Sequence, residues 1–496
     1  MIIDDPDAPT EQTVTVHRRP SAPGNASGRA LDAAVAAGSF DLRGAFEQSA
    51  KLMNADRDEE AAALLRRVVA TDPRFAAAWT NLGVANRKLK AYRLAIACYR
   101  RSLEIAPEIA GTWSNLANAY KDMERFEESI ACHKRALALD AKPGPYHHNY
   151  GIALKDSGQL QAGIDEFMQA LAINPNHNEA RWDLALAQLA LGNYRDGFVN
   201  YEARWALKEM RQARFPGERW RGQEIPGKTL LVVTEQGFGD TVMAARFVPL
   251  AARSKAHVTF ACQKEMLRLF ETMPGVDKVV PREQATGKFD YYVPLLSMIG
   301  MYAASPAELP PPLPLQVGAA AGAAAKKIVA AAGDRLKIGI VWAGSVTFRG
   351  DARRSIPLDR LLALAEVPGV QLFSLQKGPP VEQLEKMRPA PVVADLGSTF
   401  SDFADTAAAL RALDLVIMVD SAVGHLAGTM GVPVWNLLPH SSDWRWLRGR
   451  DDTPWYRSMR LFRQSAPGDW DGVFARINVA LAERVQQGRA FQPNLR

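Results

Sequence analysis

The feature that most constrains the fold of this chain is a 34-residue repeat in its N-terminal part. Two tryptophans, Trp79 and Trp113, are one period apart. Three further positions recur at the same interval: Leu82, Leu116, Tyr150 and Leu184; Gly83, Ala117, Gly151 and Ala185; Tyr99, His133, Phe167 and Tyr201. A period of this length indicates stacked supersecondary units, each of which buries its apolar face against the next.

The residue types at these positions indicate a pair of helices in each unit. Small residues let the two helices approach closely, and large residues fill the facing space. Pro73, Pro107 and Pro175 stand where the second helix should end, because proline cannot continue a helix. The pattern resembles the tetratricopeptide repeat. We predict five repeats, at 42–75, 76–109, 110–143, 144–177 and 178–211.

Composition excludes several classes of protein. The net charge is +6, but basic and acidic residues are interleaved, so no nucleic acid partner is expected. No run of about 18 apolar residues occurs, so no membrane span is expected. Three cysteines without a CxxC pair favour a reducing compartment, and we predict a cytoplasmic protein. Residues 1–40, rich in Pro, Ser, Thr and Asp, are predicted to be a disordered leader.

Two stretches outside the repeats combine a strand, a polar loop and a helix. In the first, the apolar run 230–233 leads to Gly237-Phe238-Gly239 and to a helix that we expect to open at Asp240. In the second, the run 414–418 (DLVIM), which we expect to be a buried strand, leads to the polar loop 419–425 and another helix. Backbone N–H groups at such helix starts bind anions or sugar hydroxyls. Two such sites predict a cleft between two α/β domains.

The chain after the repeats alternates between strand-like and helical runs, which predicts parallel sheets with crossover helices. We expect a first α/β half at 227–304, a proline-rich linker at 305–318 and a second half at 319–496. The expected strands are 229–233, 258–261, 278–280, 291–293, 336–342, 370–375, 392–395, 415–419 and 432–437. Among the expected helices are 241–253 and an alanine-rich one at 319–332.

Two motifs in these halves resemble those of the ADP-heptose lipopolysaccharide heptosyltransferase family. One is Gly239-Asp240, and the other is DSAVGHLA at 420–427, where the family pattern is D-[ST]-G-x-x-H-L-A and Ala422 replaces the usual glycine. The resemblance implies a bacterial tetratricopeptide-repeat glycosyltransferase of α + α/β multidomain class. Its repeat α-solenoid would be followed by a GT-B-like pair of Rossmann-type domains. It further implies a metal-independent inverting transfer, with a nucleotide sugar as co-substrate and no other cofactor.

In this family the aspartate of the Gly-Asp motif is the proposed base, so the resemblance makes Asp240 the candidate catalytic residue. The alternative is that Asp240 only caps its helix, since aspartate is favoured there. The resemblance also makes Gly237, Gly239, Asp420, Ser421 and His425 candidates for binding the donor nucleotide. For His425 the alternative is a buried histidine that bonds a backbone carbonyl.

Cationic residues are candidates for contacting a diphosphate. Arg353, Arg354 and Ser355 follow a glycine-containing loop at the position where the family places such a contact, and Lys377 follows another strand. A solvated surface charge is the alternative for each of them. The pair Asp469 and Asp471 matches a D-x-D metal motif, but its place before the last helix favours capping, and we predict no metal.

The repeats are expected to bind a protein acceptor. Asn81, Asn115 and Asn149 recur at one phase, which favours binding of an extended peptide; the alternative is that they are solvated polar positions on the first helix. Repeats followed by two Rossmann-type domains also resemble flagellin-modifying bacterial transferases and O-GlcNAc transferases in architecture. Flagellin is therefore an acceptor candidate by analogy. The alternatives are a glycan or lipopolysaccharide-type heptosyltransferase and a non-catalytic repeat scaffold.

Overall fold

The structure is a computed structural model that describes residues 41–207, 215, 217–318, 320–345, 350–387 and 392–486. The predicted leader at 1–40 and the end of the fifth predicted repeat lie outside the described residues. The chain divides into two compact units, of which the first ends at Leu184 and the second begins at Ala185.

The N-terminal part consists of helices in pairs, as the 34-residue period predicts. The helices are Leu42–Asn54, Asp58–Thr71, Ala76–Lys88, Tyr92–Ile105, Ala110–Asp122, Phe126–Leu139, Gly144–Asp156, Leu160–Ile173, Asn178–Ala190 and Tyr194–Tyr201. The expected N-terminal helical solenoid is therefore confirmed. The last helix of this array, Tyr194–Tyr201, belongs to the second unit.

The alternation of small and large residues has a direct structural cause. A Cβ atom added to Gly83 would come within 2.5 Å of Cε1 of Tyr99, and one added to Gly151 would come equally close to Cε1 of Phe167. The aromatic ring of the second helix thus lies on the glycine of the first. Close packing of this kind leaves no room for a side chain at the glycine position.

A recurring hydrogen bond explains the tryptophan period. The indole Nε1 of Trp79 donates to the carbonyl of Pro73 at 3.0 Å, and that of Trp113 donates to Pro107 at 2.8 Å. In the following repeats His147 and Arg181 contact the carbonyls six residues earlier, at 3.2 and 2.8 Å. The side chain differs, but each of these four repeats keeps a nitrogen that bonds the end of the preceding helix pair.

We expect that replacing His133 with phenylalanine stabilises the first unit. The ring is fully buried, and within the described residues neither of its nitrogens has a hydrogen-bond partner. Leaving such groups unsatisfied costs about 1–3 kcal/mol, and other repeats carry tyrosine or phenylalanine at this phase. Chemical denaturation of the full chain at pH 8 measures the gain in unfolding free energy.

The same substitution should reduce the sensitivity of the first unit to acid. Burial lowers the pKa of His133 from 6.5 to about 3, so the unfolded state binds the proton first as the pH falls. The native protein therefore loses about 1.4 kcal/mol per pH unit below about pH 6.5, and His133→Phe removes this loss. His147→Phe is the matched control and should destabilise, because His147 bonds Glu166 at 2.7 Å. A less stable His133→Phe variant at pH 8 would contradict the prediction.

The second unit contains two parallel sheets, which confirms the expected α/β class. The first sheet has the order β1-β5-β2-β3-β4, with β1 Glu218–Arg219, β2 Thr229–Val233, β3 His257–Cys262, β4 Lys278–Pro281 and β5 Tyr291–Pro294. The second has the order β11-β10-β9-β6-β7-β8, with β6 Leu336–Val341, β7 Val370–Ser374, β8 Val393–Asp395, β9 Leu415–Val419, β10 Val434–Leu438 and β11 Met459–Arg463.

The helices of the second unit differ from the sequence expectation in detail. Beyond the repeats they are Phe238–Ala244, Leu267–Phe270, Leu295–Tyr302, Ala323–Ala330, Asp351–Arg354, Leu358–Leu362, Glu382–Lys386, Phe403–Leu410, Ala422–Thr429 and Trp470–Gln486. The helix expected at 241–253 is an α-helix only to Ala244 and continues as a 3-10 helix to Ser254. That segment contains Pro249, and proline removes a hydrogen bond of an α-helix. Among the described residues, none of the helices has both the length and the apolar character needed for a membrane crossing.

Each sheet has a point where the strand order reverses. In the second sheet, β6 to β8 run outward in one direction and β9 to β11 in the other, so the reversal lies between β6 and β9. In the first sheet the reversal lies between β2 and β5. Parallel α/β sheets bind ligands beyond the carboxyl ends of the strands at such points.

A buried charge network lies beside the reversal point of the first sheet. Arg204, in the 3-10 helix Glu202–Ala206 that follows the repeats, donates to Glu235 at 2.7 Å and to Ser297 at 2.6 Å. The side chains of Arg204 and Glu235 are 1% and 2% exposed. Glu202 also bonds Arg204 and Ser297, at 2.8 and 2.7 Å. This network joins the end of the repeat array to the loop after β2.

Candidate functional site

The loop after β2 carries Asp240 at the start of a short helix. We expected this helix to open at Asp240. It begins at Phe238 with Gly237 as its N-cap, so Asp240 is its third residue. The Oδ2 atom of Asp240 accepts a hydrogen bond from the backbone N–H of Gly237 at 2.9 Å. The carboxylate thus stabilises the helix start from inside the first turn.

The loop after β9 brings a second set of candidates to the same place. Ser421 is the N-cap of helix Ala422–Thr429, and His425 lies in the first turns of that helix. A Cβ atom added to Gly239 would lie 2.8 Å from Cδ2 of His425 and 3.5 Å from Cα of Ala422. The structure therefore brings Gly239, and with it the helix that carries Asp240, against the helix that carries His425.

His425 and Asp420 are held by aromatic residues of the C-terminal segment. Nδ1 of His425 lies 2.9 Å from the hydroxyl of Tyr456, and its ring stacks on Trp446 at 5.2 Å. The indole N–H of Trp446 donates to Asp420 at 3.0 Å. Burial, with Arg445 nearby, lowers the pKa of His425 well below its ordinary value, so the ring is neutral at pH 7. A tyrosine, not a backbone carbonyl, is its hydrogen-bond partner at Nδ1.

Arg445 is a member of the site that sequence reasoning missed. Its Nη2 atom donates to Asp240 Oδ1, and its Nη1 atom donates to Asp443 at 2.7 Å. The guanidinium also lies 4.7 Å from the ring of Trp444. Burial alone would lower the pKa of Arg445, but Asp443 and Asp240 outweigh it and raise that pKa. The sequence does place Arg445 in an unusually aromatic run, Asp443-Trp444-Arg445-Trp446, whose rings could either stack on a base or sugar or pack the C-terminal segment.

The carboxyl groups of the site have altered acidity. Burial raises the pKa of Asp240 above its ordinary value, although the charge of Arg445 opposes this. Burial also raises the pKa of Asp420, and the charge of Asp443 adds to the effect. Carboxyl groups whose acidity is shifted by burial and by a specific charged partner are typical of functional sites. A raised pKa makes Asp240 a better proton acceptor.

The cationic candidates fall into two places. Arg354 ends the short helix Asp351–Arg354 in the connection after β6, Ser355 is its C-cap, and both bond Asp351, at 3.0 and 2.8 Å. The charge of Arg354 lowers the pKa of Asp420 and of His425, although burial dominates both. Lys377 follows β7 and donates to the carbonyl of Phe400 at 2.6 Å. Lys377 is therefore one strand farther from the reversal point than the other two.

The remaining candidates lie elsewhere. Asn81, Asn115 and Asn149 are half-buried on the first helices of three successive repeats, in the first unit. Asp469 accepts a hydrogen bond from the N–H of Gly472 at 2.8 Å and so caps the last helix, and Asp471 pairs with Arg360. Across the described residues, no three His, Cys, Asp or Glu side chains are grouped so that they could hold a metal ion.

We expect Gly239→Ala to destabilise the second unit. The new methyl group would meet the ring of His425, which Tyr456 and Trp446 hold in place. Overpacking costs about 1–3 kcal/mol, more than the roughly 0.5–1 kcal/mol that alanine gains over glycine in a helix. Thermal unfolding of the full chain measures the change. Gly287→Ala is the control, since its Cβ would meet nothing closer than 3.8 Å, and an equal Tm for both variants would contradict the prediction.

Comparisons with known proteins agree with the repeat assignment. The tetratricopeptide-repeat family matches residues 76–109 and 108–174, so the chain contains tetratricopeptide repeats. Protein FlbA of Caulobacter vibrioides is 30% identical over 340 residues, which are 61% of this chain and 56% of FlbA. The chain thus spans about half the length of this curated relative.

Two solved structures are similar to parts of the chain. The glycosyl transferase family 9 protein from Veillonella parvula covers 49% of this chain and 88% of its own, at 16% identity and a TM-score of 0.38. YrrB, described as a TPR protein with an unusual peptide-binding site, covers 37% of this chain and 94% of its own, at 16% identity and a TM-score of 0.30.

Proposed function

We propose that this chain is a metal-independent, inverting glycosyltransferase that moves a sugar from a nucleotide sugar to an acceptor hydroxyl on a protein. The observation that carries the proposal is the meeting of two loops. The loop after β2 presents the Asp240 carboxylate, and it packs through Gly239 on the helix that follows β9. The motif resemblance assigns these two loops to the base and the donor.

In the proposed reaction, the acceptor oxygen attacks the anomeric carbon of the donor sugar. The new carbon–oxygen bond forms as the bond from that carbon to the phosphate oxygen breaks, and the electron pair leaves with the nucleotide. Attack from the opposite side inverts the anomeric centre. Asp240 takes the hydroxyl proton, and its raised pKa favours this role.

The donor nucleotide is proposed to bind where the order of the second sheet reverses. The loops after β6 and β9 flank this point, which is where α/β sheets bind ligands. The N-terminus of helix Ala422–Thr429 offers a positive dipole to a pyrophosphate, with Ser421 and His425 beside it. Arg354 and Ser355 are the proposed charged and hydroxyl contacts, and Lys377 a more remote one.

The acceptor is proposed to be a protein that the tetratricopeptide repeats bind. Asn81, Asn115 and Asn149 repeat at one phase with partly exposed side chains, which suits hydrogen bonds to an extended peptide. Flagellin is the candidate that the architectural analogy supplies. The proposed reaction takes place in the cytoplasm, where nucleotide sugars are available as co-substrates.

Radiolabelled sugars test this function. The full chain is incubated with labelled UDP-, GDP-, ADP- and CMP-sugars and a bacterial protein extract, and both nucleotide release and labelled products are measured. The proposal predicts that one nucleotide is released and that the label enters protein. Label in a lipid-linked glycan would support the heptosyltransferase alternative, and no release from any donor would support a non-catalytic scaffold.

A further inference from the structure

We propose that Arg445 is a positioning residue that fixes the orientation of Asp240, and that the last helix of the repeat array, Tyr194–Tyr201, holds Arg445 in place. This inference rests on the proposed function of Asp240 as the base. The site would then include Arg445, from a loop between strands β10 and β11, and one helix of the repeat array.

Both oxygens of Asp240 are already engaged by the protein itself. Oδ2 accepts from the backbone N–H of Gly237, and Oδ1 accepts from Nη2 of Arg445. Two fixed donors on one carboxylate determine the plane of the group before an acceptor arrives. Each oxygen retains a second lone pair, so the carboxylate can still accept the proton of an acceptor hydroxyl.

Arg445 is itself fixed on several sides. Its side chain is 10% exposed, and its other guanidinium nitrogens contact Asp443 Oδ1 at 2.7 Å and the sulfur of Met243 at 3.2 Å. Because Met243 lies in the same helix as Asp240, Arg445 contacts that helix at two points. The planar fork of arginine suits such bridging, which lysine cannot reproduce.

The loop that carries Arg445 is held by the last helix of the repeat array. The ring of Trp444 lies 5.9, 5.7 and 6.4 Å from the rings of Tyr194, Phe198 and Tyr201. Trp455 packs on the same cluster, 6.1 Å from Trp444. Aromatic pairs at these distances stabilise one another beyond the area they bury.

The same helix also holds the other loop. The hydroxyl of Tyr201 lies 3.1 Å from Nε2 of Gln236, one residue before the N-cap of the Asp240 helix. One helix therefore contacts both loops that meet at Asp240. The helix Tyr194–Tyr201 is therefore a structural part of the site, in addition to any role of the repeats in binding an acceptor.

The charges around Asp240 define the test. Asp443 faces it from the Arg445 loop, Asp420 and the neutral His425 belong to the loop and helix after β9, and Tyr201 comes from the repeat helix. Arg445 is the cation in contact with it. Removing this cation should make Asp240 a weaker acid, because an adjacent arginine lowers the pKa of a carboxyl group.

We expect Arg445→Gln to move the acidic limb of kcat/KM upward by about 1 pH unit. The assay is nucleotide release by the full chain from UDP-, GDP-, ADP- and CMP-sugars between pH 4 and 9. Arg445→Lys keeps the charge and should keep the limb near that of the native protein while lowering kcat. Phe198→Ala should shift the acidic limb in the same direction as Arg445→Gln. Phe198→Tyr keeps an aromatic ring, so its acidic limb should stay near that of the native protein.

Arg450→Gln is the matched control, since Arg450 pairs with Asp452 at the surface and should leave the profile unchanged. A residue that only supports the fold would lower Tm without moving the limb, and one that only binds donor phosphate would raise KM alone. Either result would overturn the proposal.

A second measurement does not depend on turnover. The Tm values of the native protein, Asp240→Asn, Arg445→Gln and the double variant form a cycle at pH 8 and at pH 4. The proposal predicts coupling at pH 8 that weakens at pH 4, because protonation of Asp240, whose pKa burial raises, removes the charge that Arg445 pairs with. If the coupling is present but no nucleotide is released, only the proposed function is rejected. If the coupling is absent, the positioning role of Arg445 is rejected.

Discussion

Asp240→Asn should abolish most of the activity while leaving the fold intact. Asparagine keeps an oxygen that accepts from Gly237 N–H, so the helix start is preserved, but its NH2 group cannot accept from Arg445 and the Tm should fall. It cannot accept a proton from the acceptor hydroxyl, and loss of a general base typically lowers kcat by about 100- to 10,000-fold. Nucleotide release from the donor that the native chain uses measures the loss, and thermal unfolding measures the fold.

The matched control is Asp452→Asn, which removes a carboxylate that pairs with Arg450 away from Asp240. It should retain nearly full activity. An Asp240→Asn variant with unchanged kcat would show that Asp240 serves only the start of its helix. A variant that fails to fold would instead assign the residue to stability, and the two readouts separate these cases.

Arg204→Met should destabilise the second unit by about 3–5 kcal/mol. The substitution removes the guanidinium that pairs with the buried Glu235 carboxylate, and burying a charge without its countercharge is costly. Burial already raises the pKa of Glu235 against the charge of Arg204, and the variant should raise it further. Chemical denaturation at several pH values measures the effect.

The pH dependence of this variant follows from the same carboxyl group. With a folded-state pKa above the unfolded value, the native state binds the proton more tightly, so the deficit grows as the pH rises. We expect a larger loss at pH 8 than at pH 5. Adding Glu235→Gln should recover part of the stability. Arg219→Met, whose side chain is 28% exposed, is the control with a smaller loss.

The repeats and most strands were predictable because their signals are local and periodic. Size alternation at one phase reports helix packing directly, as the contact of Gly83 with Tyr99 illustrates. The strands of the two sheets are short apolar runs between turn residues, so their positions could be predicted. The two-residue β1 and the edge strand β11, with Arg460 exposed at its second position, carry no such signal.

The site itself was only partly predictable. Gly239 and Asp240 stand in one recognisable motif and His425 in another, but no local pattern in the sequence links the two motifs. The partner of Asp240 is Arg445, which is 205 residues farther along the chain, and no spacing rule links the two. The aromatic run at 443–446 could not be assigned to ligand stacking or to packing, and the structure shows that Trp444 packs in an aromatic cluster.

Isothermal titration of the full chain with UDP, GDP, ADP and CMP, each with its sugars, shows whether the two loops form a donor site. We predict saturable binding of one nucleotide class, with weaker binding to Gly239→Ala because its methyl group displaces the His425 ring. Binding to the native fold should also raise Tm. A well-folded chain that binds none of these ligands would rule out a donor site at these loops.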